Sequence, residues 1–415
     1  MPVRRYDADS FAEVIRDRSR PEALATERAA VADICARVRA EGDAALRELG
    51  RRFDGWAPAA GESFEADMDG ARLGAADEDA LEFAAHRIRA FHERQLPQSD
   101  PDQNLRLLTQ PVARAGVYAP GGRAAYPSTV LMTAIPARVA GVNDVVLATP
   151  PRRDGSVAPA ILAAARIAGV DKVYRIGGAQ AIAALAYGTE SIPRVDVVAG
   201  PGNVYVALAK REVFGAVGVD GIAGPTEVVV VADASARPDF VAADLAAQLE
   251  HDPLAWGVLI TDSSALADRV EEELQQLARG LERAEIIRQA NCCLVVTRDL
   301  DEAIGLANAY APEHLLVVTR DPEHVAARID NAGAVFVGPY STVPLGDYVA
   351  GPNHTLPTSG AARFGSPLGV HTFMKRTSVL NLGRDDLVEL RDATVRLAHL
   401  EGLTAHAHAV EVRLE

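Results

Sequence analysis

The sequence predicts an α/β protein with two successive parallel-sheet layers and helical ends, and three observations on its 415 residues carry that reading. Beyond Pro111, short β-branched runs alternate with Ala-rich stretches of helical spacing. Gly or Pro turns close nearly every run, as βαβ units on a parallel sheet require. A hydrophobic content of 48% over this length supports two or more cores, because a single core stops growing well before this size.

The first 110 residues are rich in Ala, Arg and Glu at helical spacing, as in VADICARVRAEGDAALRELGRRF and DEDALEFAAHRIRAFHERQL, and predict a helical region. The first α/β series then runs ARAGVY, STVLMTAIPARVAG, DVVLATP, APAILAAARIAG, DKVYRI, AQAIAALAYG, VDVVAG and NVYVALAKREVFG. The second begins EVVVVAD, PDFVAADLAAQLEH, GVLITD and SALADRVEEELQQLARGLERAEIIRQ, and continues CCLVVT, LDEAIGLANAYA, HLLVVT, PEHVAARIDN and GAVFVG. Residues 338–376 are full of Gly, Pro, Ser and Asn and read as loop. A helical tail follows from about Asp385 to Arg413.

Charge narrows the partners. Lys and Arg number 42 against 57 Asp and Glu, a formal charge of -15 that repels phosphate backbones and anionic membranes, so neither nucleic acid nor membrane is expected. The basic N-terminal residues have no apolar run behind them and no later stretch approaches the ~20 apolar residues of a span, which places the expected location in the cytoplasm. Of the three cysteines, Cys292 and Cys293 are neighbours, and neighbours in a strand point to opposite faces. No disulfide framework is implied, and any metal is left to nitrogen and oxygen ligands.

Ligands of open α/β sheets bind outside the carboxyl ends of strands, and APGGR (119–123), IGGAQA (176–181), GPGN (200–203) and GPTEV (224–228) are expected at such ends. Their glycines suit either backbone approach to a phosphate or plain tight turns, and the GxGxxG fingerprint is absent. Among ten histidines, His86, His92, His324 and His399 lie in charge-rich helical stretches and read as surface or satisfied core groups, while nothing in their spacing demands a role for His371 or His408. Gln248 and His251, three apart before Pro253, are expected on one face of a final helical turn, which suits a metal and equally a dipole-favoured C-terminal histidine. Glu313 and His314 in APEHLL open a predicted strand, where they can divide two proton transfers or form a solvated edge. Asp347 and His354 occupy GDYVAGPNHTLPT, a composition that reads as a site loop. Glu401 and His406 flank a Gly402 expected to end one helix before another, either as site residues or as incidental neighbours of a cap.

Together these stretches resemble the histidinol dehydrogenase family from about Phe11 to Val412. The order is GVYAPGG, STVLM, GGAQAIAALAYGTE, VAGPGNVYVALAKREV, AGPTEV, PDFVAADLAAQLEHDP, APEHL, GDYVAGPNHTLPT, FMKRTSV and EGLTAHA. The resemblance implies two incomplete Rossmann-like domains, the smaller inserted in the larger, with helical terminal extensions. It divides the chain into an N-terminal region (1–110) contributing to the larger domain, an inserted NAD-binding domain (111–225), a second Rossmann-like domain with metal and catalytic residues (226–370) and a tail (371–415) completing the site.

By the same resemblance, one Zn2+ per subunit falls on Gln248, His251, Asp347 and His406, an oxygen and nitrogen set suited to zinc. The acid–base pair falls on Glu313 and His314, substrate contacts on Thr226, His354 and Glu401 besides His314 and the metal ligands, and NAD contacts on Tyr118, Gln180 and Asn203. Thr226 stands where many members have serine, which keeps the hydroxyl. The implied reaction is a four-electron oxidation of L-histidinol through L-histidinal to L-histidine, the last steps of histidine biosynthesis, consuming two NAD. His314, taken as neutral near its ordinary pKa of ~6.5, accepts protons and Glu313 activates water. The resemblance also implies a homodimer in which each tail completes the partner's site, and the stripe Leu387, Leu390, Val395, Leu397 and Leu400 needs such cover. Two rival readings are a relative oxidising another polar alcohol, opposed by Glu401 and His354, and a silent protein whose zinc only ties two helical ends, opposed by the intact Glu313–His314 pair.

Overall fold

The continuous β-branched runs form parallel strands buried on both faces, of which EVVVVA (Glu227–Ala232) is the clearest, with every residue buried. The computed structural model describes residues 3–18, 25–69, 72–98, 104–121 and 125–415. In chain order the strands are β1 (Val3–Asp7), β2 (Glu65–Ala66), β3 (Leu105–Pro111), β4 (Arg114–Tyr118), β5 (Asp144–Thr149), β6 (Lys172–Arg175) and β7 (Val197–Ala199). They continue as β8 (Gly218–Val219), β9 (Glu227–Ala232), β10 (Trp256–Thr261), β11 (Asn291–Val296), β12 (His314–Val318), β13 (Ala334–Val337) and β14 (Met374–Leu380).

The chain divides into two units, one of Met1–Leu96 with Val112–Phe373 and one of Pro97–Pro111 with Met374–Glu415. The first unit holds two six-stranded sheets. One has the order β2-β6-β5-β4-β7-β8, parallel except for β2. The other has the order β1-β11-β10-β9-β12-β13 and is parallel throughout. Five strands of each follow the doubly wound order 3-2-1-4-5, which reverses between β4 and β7 in the first sheet and between β9 and β12 in the second. The second unit pairs β3 with β14 antiparallel and carries the helices Arg384–Leu400 and Thr404–Glu411.

Helices cover both faces of the β9 sheet. Leu245 and Leu249 pack with Leu259 and Cys292 on one face, and Phe11 and Tyr310 pack with Ile260 and Cys293 on the other. The neighbouring cysteines thus face opposite cores, and all three are buried free thiols. Local signals set helix limits where expected: Pro159 opens Pro159–Ala168 and Gly169, at φ 78°, ends it.

Three expectations change. The predicted N-terminal helices are joined by β1, β2 and β3. β1 is an edge strand whose charged residues, including Arg5 paired with Asp268 and Glu271, conceal its periodicity. Residues 338–376, read as loop, contain the helix Val343–Tyr348 begun by Pro344, two 3-10 turns and the start of β14. GPTEV lies at the amino end of β9, not at the carboxyl end of a strand. Of APGGR, Gly122 and Arg123 lie outside the described residues.

A buried ion pair braces the loop after β7. Lys210 Nζ meets Asp220 Oδ1 at 2.5 Å with side chains 4% and 2% exposed, and the Gly200 N–H donates to Asp220 Oδ2 at 2.7 Å. Breaking one side of such a pair strands the other charge, so Lys210→Met should cost about 3–5 kcal/mol of stability in urea unfolding. An unchanged unfolding midpoint would contradict this account of the pair.

Candidate active site

Two adjacent strand starts build the centre. β12 pairs with β9 in the register His314↔Val228, which sets Glu313 beside Glu227. Glu313 Oε2 accepts from Thr226 Oγ1 at 2.6 Å and from the Glu227 N–H at 2.9 Å. Glu227 Oε1 in turn accepts from the N–H groups of Glu313 at 3.3 Å and Ser359 at 3.1 Å. Burial pushes the Glu313 carboxyl above its ordinary range, against the pull of His314, Thr226 and the Glu227 N–H.

His314 is 4% exposed. Its Nδ1 lies 3.2 Å from the carbonyl oxygen of Glu227, which only accepts, so Nδ1 carries a hydrogen. Nδ1 is also 3.5 Å from Glu313 Oε2, so the two side chains approach each other. Nε2 is buried without a hydrogen-bond partner among the described residues, 3.7 Å from Asp347 Oδ1. Burial opposes a charge on this ring, but the carboxylates of Glu313 and Asp347 outweigh it and push the pKa up to about 9. The expectation of a histidine neutral near its ordinary value is therefore corrected for the protein alone.

Asp347 projects from the helix Val343–Tyr348; burial disfavours its charge, yet His314, His354 and His251 hold its pKa below the ordinary value. Its backbone carbonyl lies 2.9 Å from His354 Nδ1, and His354 Nε2 is 3.3 Å from Thr129 Oγ1. Burial lowers the His354 pKa and favours the neutral ring. A cavity of about 640 Å³ is lined by Gln248, His251 and Asp347, together with Tyr126 and Tyr348. Gln248 is buried and donates Nε2 to Thr226 Oγ1, which leaves Oε1 as its metal-type donor. The helix Pro238–Leu249 ends before His251, so the shared face expected for the pair is replaced by a shared cavity, with His251 exposed just beyond the helix.

These three side chains fit zinc in atom type and in facing one cavity. No group of three or more His, Cys, Asp or Glu side chains within metal-holding reach occurs among the described residues. The fourth residue, His406, lies in the helix Thr404–Glu411 of the second unit, and Glu401 caps the helix Arg384–Leu400 before Gly402 at φ 73°. They are thus not brought to the others within the first unit.

The three residues assigned to NAD occupy the carboxyl ends of the other sheet, Tyr118 ending β4 and Asn203 following β7, where the strand order reverses. Asn203 caps the helix Val204–Val213 by accepting from the N–H groups of Tyr205 and Val206. The Tyr118 hydroxyl accepts from the Gly178 N–H at 3.1 Å, and Gln180 Nε2 donates to Asp54 Oδ2 at 3.3 Å. Burial pushes the Tyr118 hydroxyl up to about 12.

Sequence reasoning missed Glu227 and Asp54. A lone glutamate leading the run VVVV was a usable signal for the first, because a charge at the head of a fully buried strand needs partners. No pattern in RRFDGW announced the second.

Burial raises the Asp54 pKa to about 6, against the N–H donors of Gly177 and Gln180. The folded state therefore holds this proton more tightly than the unfolded chain, and the resulting penalty appears as pH rises from the ordinary value of 3.8 through 6. Asp54→Asn should stabilise the protein by about 1–2 kcal/mol at pH 8 and by nothing below pH ~4. Thermal unfolding at both pH values checks this, and an equal effect at both would contradict it.

Comparison with known proteins finds matches over nearly the whole chain. The family model described as histidinol dehydrogenase matches residues 17–414. Histidinol dehydrogenase of Synechococcus sp. is 48% identical over 423 residues, covering 98% of this chain and 96% of that protein. That of Heliobacterium mobile is 50% identical over 398 residues, covering 93% of each. The crystal structure of histidinol dehydrogenase from Elizabethkingia anophelis superposes with a TM-score of 0.88 at 33% identity, covering 95% of this chain and 93% of that one. An acetylating aldehyde dehydrogenase from Geobacillus thermoglucosidasius shares the fold alone, with a TM-score of 0.51 at 15% identity. Family match, sequence identity and three-dimensional likeness agree, and the chain belongs to the histidinol dehydrogenase family.

Proposed function

We propose that the protein oxidises L-histidinol to L-histidine in two successive hydride transfers to NAD, with zinc as its metal. The observation that carries this reading is the buried Glu313–His314 pair, whose partnerless Nε2 faces the Asp347 carboxylate of the metal-type residues. Gln248, His251 and Asp347 would hold the zinc together with His406. Bound there, zinc would fix the imidazole and amine of the substrate and offset the Asp347 charge that favours a proton on His314.

The remaining steps belong to side chains. With Nδ1–H committed to the Glu227 carbonyl, neutral His314 has its lone pair on Nε2, and this atom takes the alcohol proton as the hydride leaves carbon for NAD. Water then adds to the aldehyde: Glu313 accepts the water proton, a task suited to a carboxylate whose basicity is raised by burial, while His314 returns the proton it took to the carbonyl oxygen and is neutral again. The second hydride leaves the hydrated carbon for a second NAD, His314 takes the hydroxyl proton, and the carboxylic acid ionises. Each mole of histidinol thus yields two NADH. Neutral His354 and the hydroxyl of Thr226 serve as polar contacts for the substrate, and Glu401 fixes its far end. Tyr118, Gln180 and Asn203 border the crevice for NAD, at the point where a doubly wound sheet receives its nucleotide.

Glu401 and His406 reach the site from a second copy of the chain. Supporting this, the second unit leaves Leu105, Leu380, Leu397 and Leu400 exposed by 56%, 67%, 60% and 73% around a two-stranded sheet that is marginal by itself. A second subunit supplies the cover such a surface needs.

The stoichiometry tests the reaction: a yield near two NADH per histidinol is expected, and Glu313→Gln should impair oxidation of added histidinal at least as much as the alcohol step. A yield of one, or none, overturns the reading. For assembly, Asp347→Ala and His406→Ala are each expected to be inactive as homodimers and to regain activity in the purified heterodimer, where one site carries both lesions and the other neither. A dead heterodimer would show that each chain builds its own site.

A further inference from the structure

We infer that Glu227 is a positioning residue for the Glu313–His314 pair. Its side chain is buried, 1% exposed, at the head of β9, and the proton transfers proposed above make no use of it. Buried carboxylates are costly to desolvate, so one kept beside a reacting pair needs a compensating role. Its contacts converge on that pair. The carboxylate accepts from the Glu313 N–H, its own N–H donates to the Glu313 carboxylate, and its carbonyl receives His314 Nδ1. One residue therefore fixes the backbone of Glu313, the rotamer of Glu313 and the tautomer of His314.

A second observation is independent of these bonds. Among the described residues only Ala311 and Ser359 are non-glycine residues with positive φ, at 53° and 55°. Ala311 lies two residues before Glu313, and the Ser359 N–H is held by Glu227 Oε1. The Ser359 turn is thus held by the Glu227 carboxylate, and such conformations persist where the surroundings over-determine them, whereas Ala311 is the left-handed cap of the helix Leu300–Tyr310 that leads into Glu313. The fit allows no slack: a Cβ on Gly224 would meet Ser359 Oγ at 2.2 Å, and one on Gly333 would meet the Glu313 carbonyl oxygen at 2.6 Å. The Glu227 carboxylate joins the heads of β9 and β12 to the segment carrying His354, and thereby sets Glu313 and His314 at the spacing that proton transfer needs.

The inference rests on the reading of Glu313 and His314 as the acid–base pair, so Glu313→Gln and His314→Asn are measured alongside; full turnover in both would remove that reading itself. With the zinc-loaded, full-length enzyme, Glu227→Ala should lower kcat for histidinol and for added histidinal together by about 100-fold, the cost of ångström-scale misplacement. KM for NAD, zinc stoichiometry and the circular dichroism spectrum should stay within twofold of the parent. Glu227→Gln, which keeps an acceptor oxygen, should retain kcat within about fivefold. If Glu227→Ala does not fold, Glu227→Asp, with its carboxylate drawn back by one methylene, should lose at least tenfold in kcat at unchanged KM for NAD. The inference is overturned by a parental kcat in Glu227→Ala or Glu227→Asp, by loss of kcat only together with zinc or NAD binding, or by a Glu227→Gln enzyme no more active than Glu227→Ala.

Discussion

The heads of β9 and β12 exchange side-chain-to-backbone hydrogen bonds, Glu313 to the Glu227 N–H and Glu227 to the Glu313 N–H, and the candidate site is built outward from that exchange. It depends on parallel pairing in the register His314↔Val228, which the buried valines on both strands enforce. A slip by one residue would turn His314 and its neighbours to the opposite face of the sheet. The bonds are made in a region from which water is excluded, where a satisfied polar network is rigid and an unsatisfied one costly. The same burial raises the pKa of Glu313.

The residues singled out on two sheets of the same strand order stand at opposite ends of those sheets. In the β4 sheet, Tyr118, Gln180 and Asn203 stand at the carboxyl ends, on either side of the point where the order reverses. In the β9 sheet the carboxyl ends of β9 and β10 are followed directly by Asp233 and Asp262, and Asp299 lies beyond β11. Burial and the neighbouring Asp233 raise the pKa of Asp262. The Thr226–Glu227 and Glu313–His314 pairs meet at the amino ends instead. A closed network of carboxylates, a threonine and imidazoles replaces there the open crevice that the fold class alone suggests.

The second unit answers a different physical demand. A two-stranded antiparallel sheet with two helices buries little, and its leucines remain on the surface. Glu401 and His406 share a segment with that uncovered surface, so under the proposed function placing them at a site and covering the leucines become one problem of assembly.

The sequence by itself determined the α/β class, the alternating order of strands and helices past Pro111, and the opposed cysteines on β11, because each is written in local periodicity and turn chemistry. It also singled out Gln248, His251, Asp347, Glu313, His314 and His354, whose residue types sit badly in the surrounding pattern, although their roles came from family resemblance. It concealed β1 behind the charges of an edge strand and left the helix bearing Asp347 inside a run of loop-forming residues. Only tertiary structure decided that Thr226, Glu227, Glu313 and His314 meet at the amino ends of their sheet, that the carboxylates of Glu313 and Asp347 raise the His314 pKa, and that a buried Glu227 and a half-buried Asp54 stand beside assigned residues. Glu227 and Glu313 are 86 residues apart, and no local period encodes a bond across that distance. Such a bond exists only once long-range strand pairing has fixed the register and removed the water.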